Sequence, residues 1–478
     1  MLLKKAFDRI EKLDRDSNVT NLSIEGFDVW PILRQCLWKS LNSSGLEKTI
    51  RFKKQKSFLL TKIRYFFSNL KYFQWKRFSE NNKITSIFIS NPVHLQRLRN
   101  NETFDKIVDP LIILLDNPNC YEKFYISPFQ FKNNLSVKGK FLFPFIYDRL
   151  YLSEEIEKNI KNIAILADVE PSTLVHEFKL ALDIFYKWYL YGKKLFNKRS
   201  SLKRLFIVGW YSPAIMGLVA AARIKGVISI DIQHGKQGQY QAMYNGWNES
   251  RINSGYDQMP DYFWTWGEPT KRHILAGCNR TKHIPIVGGY PWIEHYIKFE
   301  CKKRVKQKNK TIILFTMQPA QGVNLEPIPD FILSLLTRND PNIFIIFRKH
   351  PNDKFGYQYY KYRLKSIGSE LHCFDDGTKN LYDIFESITH HITAYSSCCY
   401  EARAFGIDTL LFGEDALDIY NEEIRNNVFS WTDGTVDEVK NWLKVGKGLN
   451  NTESLSEDYI LSSLTRAKRL LNGSKNFI

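Results

Sequence analysis

The chain has 478 residues, 44% of them hydrophobic, and a formal net charge of +18. This length is sufficient for two or three domains with complete cores, and the composition excludes a disordered or low-complexity protein. No apolar run reaches the roughly 18 residues of a membrane-spanning helix, and the seven cysteines contain no CxxC pair, which predicts reduced thiols and no metal site.

The first predicted region, residues 1–80, is helical and contains a basic amphipathic segment at 51–80. This segment carries nine Lys or Arg residues and a single acid, Glu80, and its apolar side chains recur at helical spacing. An aromatic-rich basic helix suits an anionic membrane surface, although a helix that packs on the protein body gives the same pattern. Because the N-terminus has no secretory signal, we expect a cytoplasmic protein, peripheral on the inner face of the cytoplasmic membrane. No nucleic-acid-binding motif occurs, so nucleic acid is not an expected partner.

Residues 81–300 have the pattern of a Rossmann-like α/β domain. An apolar strand at 205–208, a helix that ends near Gly226 and a second strand at 228–232 form a βαβ unit, which implies a parallel sheet. Ligands of such sheets bind beyond the carboxyl ends of the strands, and the second strand ends in Gln233-His234-Gly235.

His234 is therefore the candidate catalytic residue of this half. An imidazole at this edge can take the proton of a hydroxyl group or steady a phosphate, and Gly235 allows a substrate to approach the backbone closely. Gln233 is a further candidate substrate contact. The alternative is a loop histidine whose hydrogen bonds are satisfied by protein groups.

A polar stretch at 301–310 is predicted to be a linker, and the βα alternation restarts in residues 311–478. The sequence therefore predicts an α/β protein with two doubly wound Rossmann-like domains that face a cleft, preceded by the helical basic extension.

In the second domain, an apolar strand runs into Arg348-Lys349-His350-Pro351. An imidazole after a strand can donate a hydrogen bond to a phosphate and, when protonated, neutralise its charge, with the two preceding cations beside it. His350 is thus the second candidate catalytic residue, and all four residues are candidate phosphate ligands. A histidine that caps the end of the strand is the alternative.

Ser396 and Ser397 follow another apolar strand and begin a helix. The free N–H groups and the dipole of a helix N-terminus attract anions, and the hydroxyls add donors, although simple N-capping uses the same geometry. Glu401, one turn into the helix, is a candidate contact to a ribose or sugar hydroxyl. Asp375 and Asp376 end a further strand and are candidate substrate contacts, with turn formation as the alternative.

The KHP motif and the segment LYDIFESITHHITAYSSCCYEARAFGIDTLLFGED resemble the C-terminal half of bacterial GT-B transferases that build surface polysaccharides. These include sialyltransferases with HP and Ser-Ser motifs, capsule and lipopolysaccharide glycosyltransferases, and CDP-glycerol glycerophosphotransferases. The resemblance covers about residues 84–430 and implies that the HP histidine and the serine pair bind the donor phosphate, while the QHG loop belongs to the acceptor half. In the sialyltransferases an acidic triplet that supplies the general base precedes HP, whereas the only Asp-Asp-Gly triplet of this chain follows HP. The resemblance therefore does not identify the general base.

This resemblance implies a glycosyltransferase with an N-terminal acceptor domain and a C-terminal donor domain. We expect it to move a sugar from a CMP- or UDP-linked nucleotide sugar to a lipid-linked or growing glycan in capsule or lipopolysaccharide O-antigen synthesis. The expected partners are these two substrates and an anionic membrane surface, and no metal or other cofactor is expected. The alternatives are a CDP-polyol phosphotransferase of teichoic-acid-like polymer synthesis and a non-catalytic GT-B scaffold in polysaccharide assembly.

Overall fold

The computed structural model describes residues 2–42, 80–98, 101–126, 135–142, 150–276, 278–300, 310–318, 328–337, 340–350, 353, 355–366, 373–377, 379–445 and 463–472. The predicted basic helix at 51–80, apart from Glu80, lies outside these ranges, and so does Pro351. Within these ranges no helix is long and apolar enough to cross a membrane.

Among the described residues, three helices and a small antiparallel hairpin precede the first large sheet. Their bounds are α1 Leu2–Asp14, α2 Ser17–Thr20, β1 Ser23–Ile24, β2 Phe27–Asp28 and α3 Trp30–Asn42. The apolar side chains of α1 recur at helical spacing, and Phe7, Ile10 and Leu13 are buried. They belong to the same hydrophobic cluster as the core of the first sheet, so these helices are an integral part of the first half of the molecule.

The first half contains a seven-stranded sheet and a short antiparallel hairpin. Its strands are β3 Ser86–Ser90, β4 Leu95–Arg97, β5 Thr103–Asp105, β6 Tyr121–Ile126, β7 Lys140–Leu142, β8 Arg204–Ile207, β9 Ile228–Ile232, β10 Tyr262–Thr265 and β11 Ile284–Val287. Its helices are α4 Asp109–Ile113, α5 Glu154–Leu166, α6 Pro171–Asn197, α7 Pro213–Ile224, α8 Glu249–Ser254, α9 Glu268–Leu275 and α10 Pro291–Phe299. The sheet order is β11-β10-β9-β8-β3-β6-β7 with every pair parallel, and β4 pairs with β5.

The second half contains a six-stranded sheet. Its strands are β12 Thr311–Thr316, β13 Ile343–Arg348, β14 Cys373–Asp375, β15 His390–Thr393, β16 Asp408–Phe412 and β17 Ser430–Thr432. Its helices are α11 Asp330–Thr337, α12 Tyr357–Lys365, α13 Leu381–Phe385, α14 Cys398–Ala404, α15 Glu414–Ile419, α16 Asn421–Arg425, α17 Val436–Val445 and α18 Ser463–Asn472. The order is β14-β13-β12-β15-β16-β17, again all parallel, so the predicted fold class of two parallel-sheet α/β halves is confirmed.

The final helix, α18, returns to the first half. The Ser463 hydroxyl accepts a hydrogen bond from the backbone N–H of Tyr290 at 3.1 Å. At the other end of α18, the Asn472 amide donates to the carbonyl of Leu114 at 2.8 Å. The division into domains at 81–300 and 311–478 stays a prediction. Helix α18 belongs to the second of these ranges and packs on residues of the first.

A buried histidine in the first half makes folding stability sensitive to acid. His283 Nε2 accepts from the backbone N–H of Tyr256 at 2.9 Å, so Nδ1 carries the proton and donates to the Pro260 carbonyl at 2.7 Å. Burial lowers the pKa of His283 to about 3. Between this value and the unfolded value near 6.5, the unfolded chain binds more protons than the native one, so stability is lost as the pH falls through this window.

We expect His283→Asn to destabilise the protein by about 1–3 kcal/mol at neutral pH, because the Tyr256 N–H loses its acceptor. This difference from the wild type should shrink as the pH falls from about 6.5 towards 3. Urea unfolding at several pH values measures it. The exposed His176, replaced by Asn, is the control. A difference that stayed constant with pH would contradict the neutral assignment of His283.

Candidate functional site

The loop after β9 is held at the sheet edge by a buried carboxylate. Asp231, at the end of β9, accepts hydrogen bonds from the backbone N–H groups of Gly209 at 3.0 Å and Trp210 at 3.2 Å. Its other oxygen accepts from the Tyr244 hydroxyl at 2.9 Å. Gly209 has φ +77°, a conformation that favours glycine, which lets the chain turn after β8. The ends of β8 and β9 are thus fixed to each other beside His234.

His234 lies at this edge together with a second histidine, His94. Its Nε2 is 3.2 Å from the Tyr211 hydroxyl, and its ring centroid is 5.6 Å from that of His94. Burial, and to a smaller extent the nearby Lys106 cation, lowers the pKa of His234 to about 4. Burial also lowers the pKa of His94 well below its ordinary value, with His234 and Lys106 contributing. Both imidazoles are therefore neutral at pH 7 and able to accept a proton.

Gln233, the candidate substrate contact beside His234, has its amide engaged by protein groups. Its Nε2 donates to the Gly235 carbonyl at 2.9 Å and to the Thr270 hydroxyl at 3.2 Å, and its Oε1 accepts from the Trp266 backbone N–H at 2.7 Å. The side chain is buried. In this structure Gln233 holds the loop in place, while Gly235 lies half-buried next to His234.

Lys106 connects the two halves of the molecule. It follows β5, and its backbone N–H donates to the carbonyl of His94 at 3.2 Å, so the β4–β5 hairpin places both residues. Its Nζ lies 3.6 Å from Glu401 Oε1 on helix α14 of the second half. The sequence analysis missed Lys106, because the segment FDKIVDP at 104–110 indicates only a turn before the next element. It also missed His94, which lies outside that segment.

Glu401 is buried at the contact between the two halves. Its Oε1 accepts hydrogen bonds from the Tyr382 hydroxyl at 2.7 Å and the Tyr290 hydroxyl at 3.0 Å, in addition to facing Lys106. Tyr290 belongs to the first half and Tyr382 to the second. This carboxylate therefore joins the halves in the described structure, and its predicted contact to a ribose or sugar stays a prediction.

A second buried ion pair joins the loop after His234 to the second half. Lys236 Nζ pairs with Glu423 on α16, and both contact the Tyr400 hydroxyl. Lys236 Nζ also lies 5.2 Å from the centroid of the Tyr420 ring. Burying two charges is costly unless they pair with each other. The pair of Lys236 and Glu423 therefore favours the arrangement of the two halves in which both charges are buried together.

Arg348 and its neighbours lie at the carboxyl end of β13. The guanidinium of Arg348 pairs with Asp375 and donates to the Lys379 carbonyl at 3.1 Å, so both charged groups support the turn after β14. Asp376 is exposed in that turn. Lys349 and Asp376 line a cavity of about 430 Å³ at this edge, together with the aromatic rings of Tyr357 and Phe374.

His350, the candidate phosphate ligand beside this cavity, has a pKa lowered by burial, an effect that Asp353 opposes. Its imidazole is half-buried at the end of the second sheet. The structure therefore places Arg348, Lys349 and His350 together at one sheet edge, and it places His234 in the other half.

Helix α14, which follows Ser396 and Ser397, is only seven residues long. The Ser396 hydroxyl accepts from the Cys398 backbone N–H at 3.3 Å, whereas Ser397, the N-cap, makes no capping bond with its side chain. Because a helix dipole grows with the number of aligned peptides, a helix this short attracts an anion less strongly than the sequence pattern indicates. Ser397 lies instead on a cavity of about 270 Å³ between the two halves.

Metal ligands do not cluster in the described ranges: no group of three or more His, Cys, Asp or Glu side chains there could hold a metal ion. Besides the carboxylates of Glu401 and Asp376, the side chains described at the cleft include cations, imidazoles and hydroxyls. Such groups bind anionic ligands and move protons without a metal.

Comparison with solved structures identifies the fold. The chain matches a protein described as a UDP-N-acetylglucosamine 2-epimerase from Listeria monocytogenes, with a TM-score of 0.52 and 10% identity over 81% of this chain and 96% of that one. It also matches the UDP-GlcNAc 2-epimerases of Methanocaldococcus jannaschii, with a TM-score of 0.49 and 12% identity over 81% and 99%, and of Neisseria meningitidis, with 0.47 and 12% over 81% and 98%. No family model matches the chain, and no curated protein matches it in sequence.

The Listeria structure, with a TM-score above 0.5, shows that the chain has a GT-B-like fold of two Rossmann-like halves. The prediction of a glycosyltransferase of capsule or lipopolysaccharide synthesis is wrong by this comparison, because the Listeria structure is described as an epimerase. The comparison gives no support to the specific resemblance to sialyltransferases and glycerophosphotransferases. The reason is physical: short polar motifs at strand ends suit phosphate binding in any fold of this kind, so they indicate the fold and leave the reaction open.

Proposed function

We propose that this protein binds a nucleotide sugar in the cleft between its two halves and epimerises the sugar. The observation that carries the proposal is the convergence of Lys106, His94 and His234 on the face of the first half that meets helix α14 of the second. The fold supports it, because the Listeria protein with the same architecture is described as a UDP-N-acetylglucosamine 2-epimerase.

The nucleotide part of the substrate is assigned to the second half. Lys349 and His350 lie beyond the end of β13, where parallel sheets bind their ligands. Lys349 offers a cation to a diphosphate, and the ring of Phe374 in the adjoining cavity offers an apolar surface to a base. Ser396 and Ser397 add hydroxyl donors beyond the end of β15, which is separated from β13 by β12 in the sheet. The Arg348 guanidinium positions this edge through Asp375.

The proton-transfer groups are assigned to the first half. Inverting a carbon centre that bears a hydrogen requires a base that removes the proton and an acid that returns one to the opposite face. His234 and His94 are both neutral at pH 7, so either can take the proton as the base, and the Lys106 ammonium carries a proton that it can return as the acid. The Tyr211 hydroxyl orients His234, and the Lys106 ammonium stabilises negative charge that develops in the cleft.

The test is proton NMR of UDP-N-acetylglucosamine incubated with the protein in D₂O. Epimerisation is expected to produce a second sugar spin system and to replace one carbon-bound proton by deuterium. Isothermal titration with UDP gives the binding step separately. Binding of the nucleotide sugar without exchange or conversion would overturn the epimerase assignment, and absence of UDP binding would overturn the nucleotide site as well.

Lys106→Ala is expected to reduce conversion by about 10²-fold or more, as for the loss of one group that stabilises charge in the transition state. Lys138→Ala removes an exposed lysine of the same half and is the matched control. If Lys138→Ala reduced conversion as much as Lys106→Ala, Lys106 would act only through its contribution to the net positive charge of the protein.

A further inference from the structure

We propose that the cavity between the N-terminal helices and the second half holds the sugar ring of the substrate, and that Leu3 and Trp38 determine which sugars fit. This inference rests on the proposed function and extends it to a specificity pocket. The cavity measures about 270 Å³. The residues on its surface that bear on the argument are Leu3, Trp38, Tyr240, Gln241, Tyr395 and Ser397.

The size of the cavity limits its occupant. Pockets that enclose a drug-sized ligand have volumes of about 300–1,000 Å³. A cavity of about 270 Å³ is therefore too small for a whole nucleotide sugar and is suited to a single ring. The cavity beside Lys349, at about 430 Å³, is the larger of the two and is open to a nucleoside.

The chemistry of the cavity is suited to a carbohydrate. A pyranose ring has a face of C–H groups and a rim of hydroxyls, so it needs apolar surface and hydrogen-bonding groups side by side. Trp38, Tyr240 and Tyr395 supply aromatic surface, and each also carries a polar group that can face a hydroxyl. Gln241 and Ser397 add further hydrogen-bonding groups. A purely lipid ligand would leave these polar groups without partners.

The N-terminal helices hold this surface in place. Phe7 on α1 packs edge-on against Tyr240, with ring centroids 5.7 Å apart. Arg34 on α3 donates to the carbonyls of Ala242 at 2.9 Å and Asn245 at 2.7 Å, in the segment that carries Tyr240 and Gln241. A binding surface whose side chains are fixed before the ligand arrives loses less conformational entropy on binding.

Leu3 and Trp38 belong to elements that lie outside both parallel sheets. Every other residue on the cavity comes from a loop or helix end of the two halves. The α1 and α3 side chains close the cavity on the side away from the sheets. A change at these two positions alters the shape of the pocket and leaves His234, His94 and Lys106 in place. Lys236, which also lines the cavity, follows His234 by two residues, so the cavity adjoins the loop that carries the proposed base.

The experiment compares the affinities of UDP and UDP-N-acetylglucosamine by isothermal titration, using the full chain. Leu3→Trp fills the cavity from a half-buried position on α1, so its fold is expected to be retained. We expect the variant to bind UDP as the wild type does and to lose about tenfold or more of its affinity for UDP-N-acetylglucosamine. Trp38→Ala, which removes the aromatic surface, should act in the same direction.

Tyr362→Ala is the control, because Tyr362 is an exposed aromatic residue of the second half that does not line the cavity. Saturation-transfer NMR with free N-acetylglucosamine is a second readout and should show contact in the wild type and none in Leu3→Trp. An unchanged ratio of the two affinities in Leu3→Trp would overturn the cavity assignment while leaving the nucleotide site intact. Absence of UDP binding to the wild type would overturn the proposed function and this pocket together.

Discussion

Replacing His234 by asparagine is expected to lower the turnover of the nucleotide sugar by about 10²–10⁴-fold, the range of a lost general acid or base. Affinity for UDP should stay close to that of the wild type, because the nucleotide is assigned to the other half. The measurement is the initial rate of conversion at saturating substrate, together with UDP titration. His176→Asn, at an exposed position on α6, is the matched control and should leave both values unchanged.

The pH dependence of the wild type provides a second check on His234. Burial lowers the pKa of this imidazole to about 4, so the base stays unprotonated at every pH well above that value. We expect kcat/KM to be flat on the acid side of neutrality and to fall only as the pH approaches about 4. A fall centred near 6.5, the ordinary value for histidine, would contradict a catalytic His234 with a lowered pKa.

Replacing Arg34 by alanine is expected to lower the free energy of unfolding by about 3–5 kcal/mol, the usual cost of breaking a buried ion pair on one side. Arg34 is fully buried, and its guanidinium pairs with Asp14 at 2.7 Å. It also lies 4.1 Å from the Trp247 ring. Without it the Asp14 carboxylate keeps, among the residues that the structure describes, the Trp30 indole and the Asn248 backbone N–H as donors.

Urea unfolding measures this loss, and two further variants calibrate it. Arg15→Ala removes a surface arginine whose pair with Glu11 is largely exposed, and such pairs contribute about 1 kcal/mol or less. Arg34→Lys keeps the charge but not the planar fork of donors, so it should fall between the wild type and the alanine variant. A loss no larger for Arg34→Ala than for Arg15→Ala would show that the N-terminal helices do not stabilise the first half.

The parallel sheets could be predicted because their signals are local. The strands at 205–208 and 228–232 are apolar runs on either side of a helix that ends at Gly226, and the structure has β8, α7 and β9 there. The alternation of strands and helices that begins again after the predicted linker likewise corresponds to β12 and the strands after it. The hydrophobic pattern and the turn residues report burial and chain reversal directly, so they identify the α/β class.

The function could not be predicted by the same route. The KHP and Ser-Ser motifs indicate anion binding at strand ends, which many reactions share, and the glycosyltransferase inferred from them is contradicted by the structural comparison. The anion site at Ser396 and Ser397 is also weaker than the pattern indicates, since α14 has only seven residues.

The amino-acid sequence by itself determined the two α/β halves, the strand ends that carry polar residues, and the lack of a long apolar segment. Only the tertiary structure brought Lys106 to Glu401, His94 to His234, and Trp38 and Ser397 to the surface of one cavity. Periodicity depends on neighbours within a few residues, whereas each of these contacts joins segments more than a hundred residues apart. Their proximity depends on how the two halves and the N-terminal helices pack, and the local pattern of apolar and polar residues does not encode that packing.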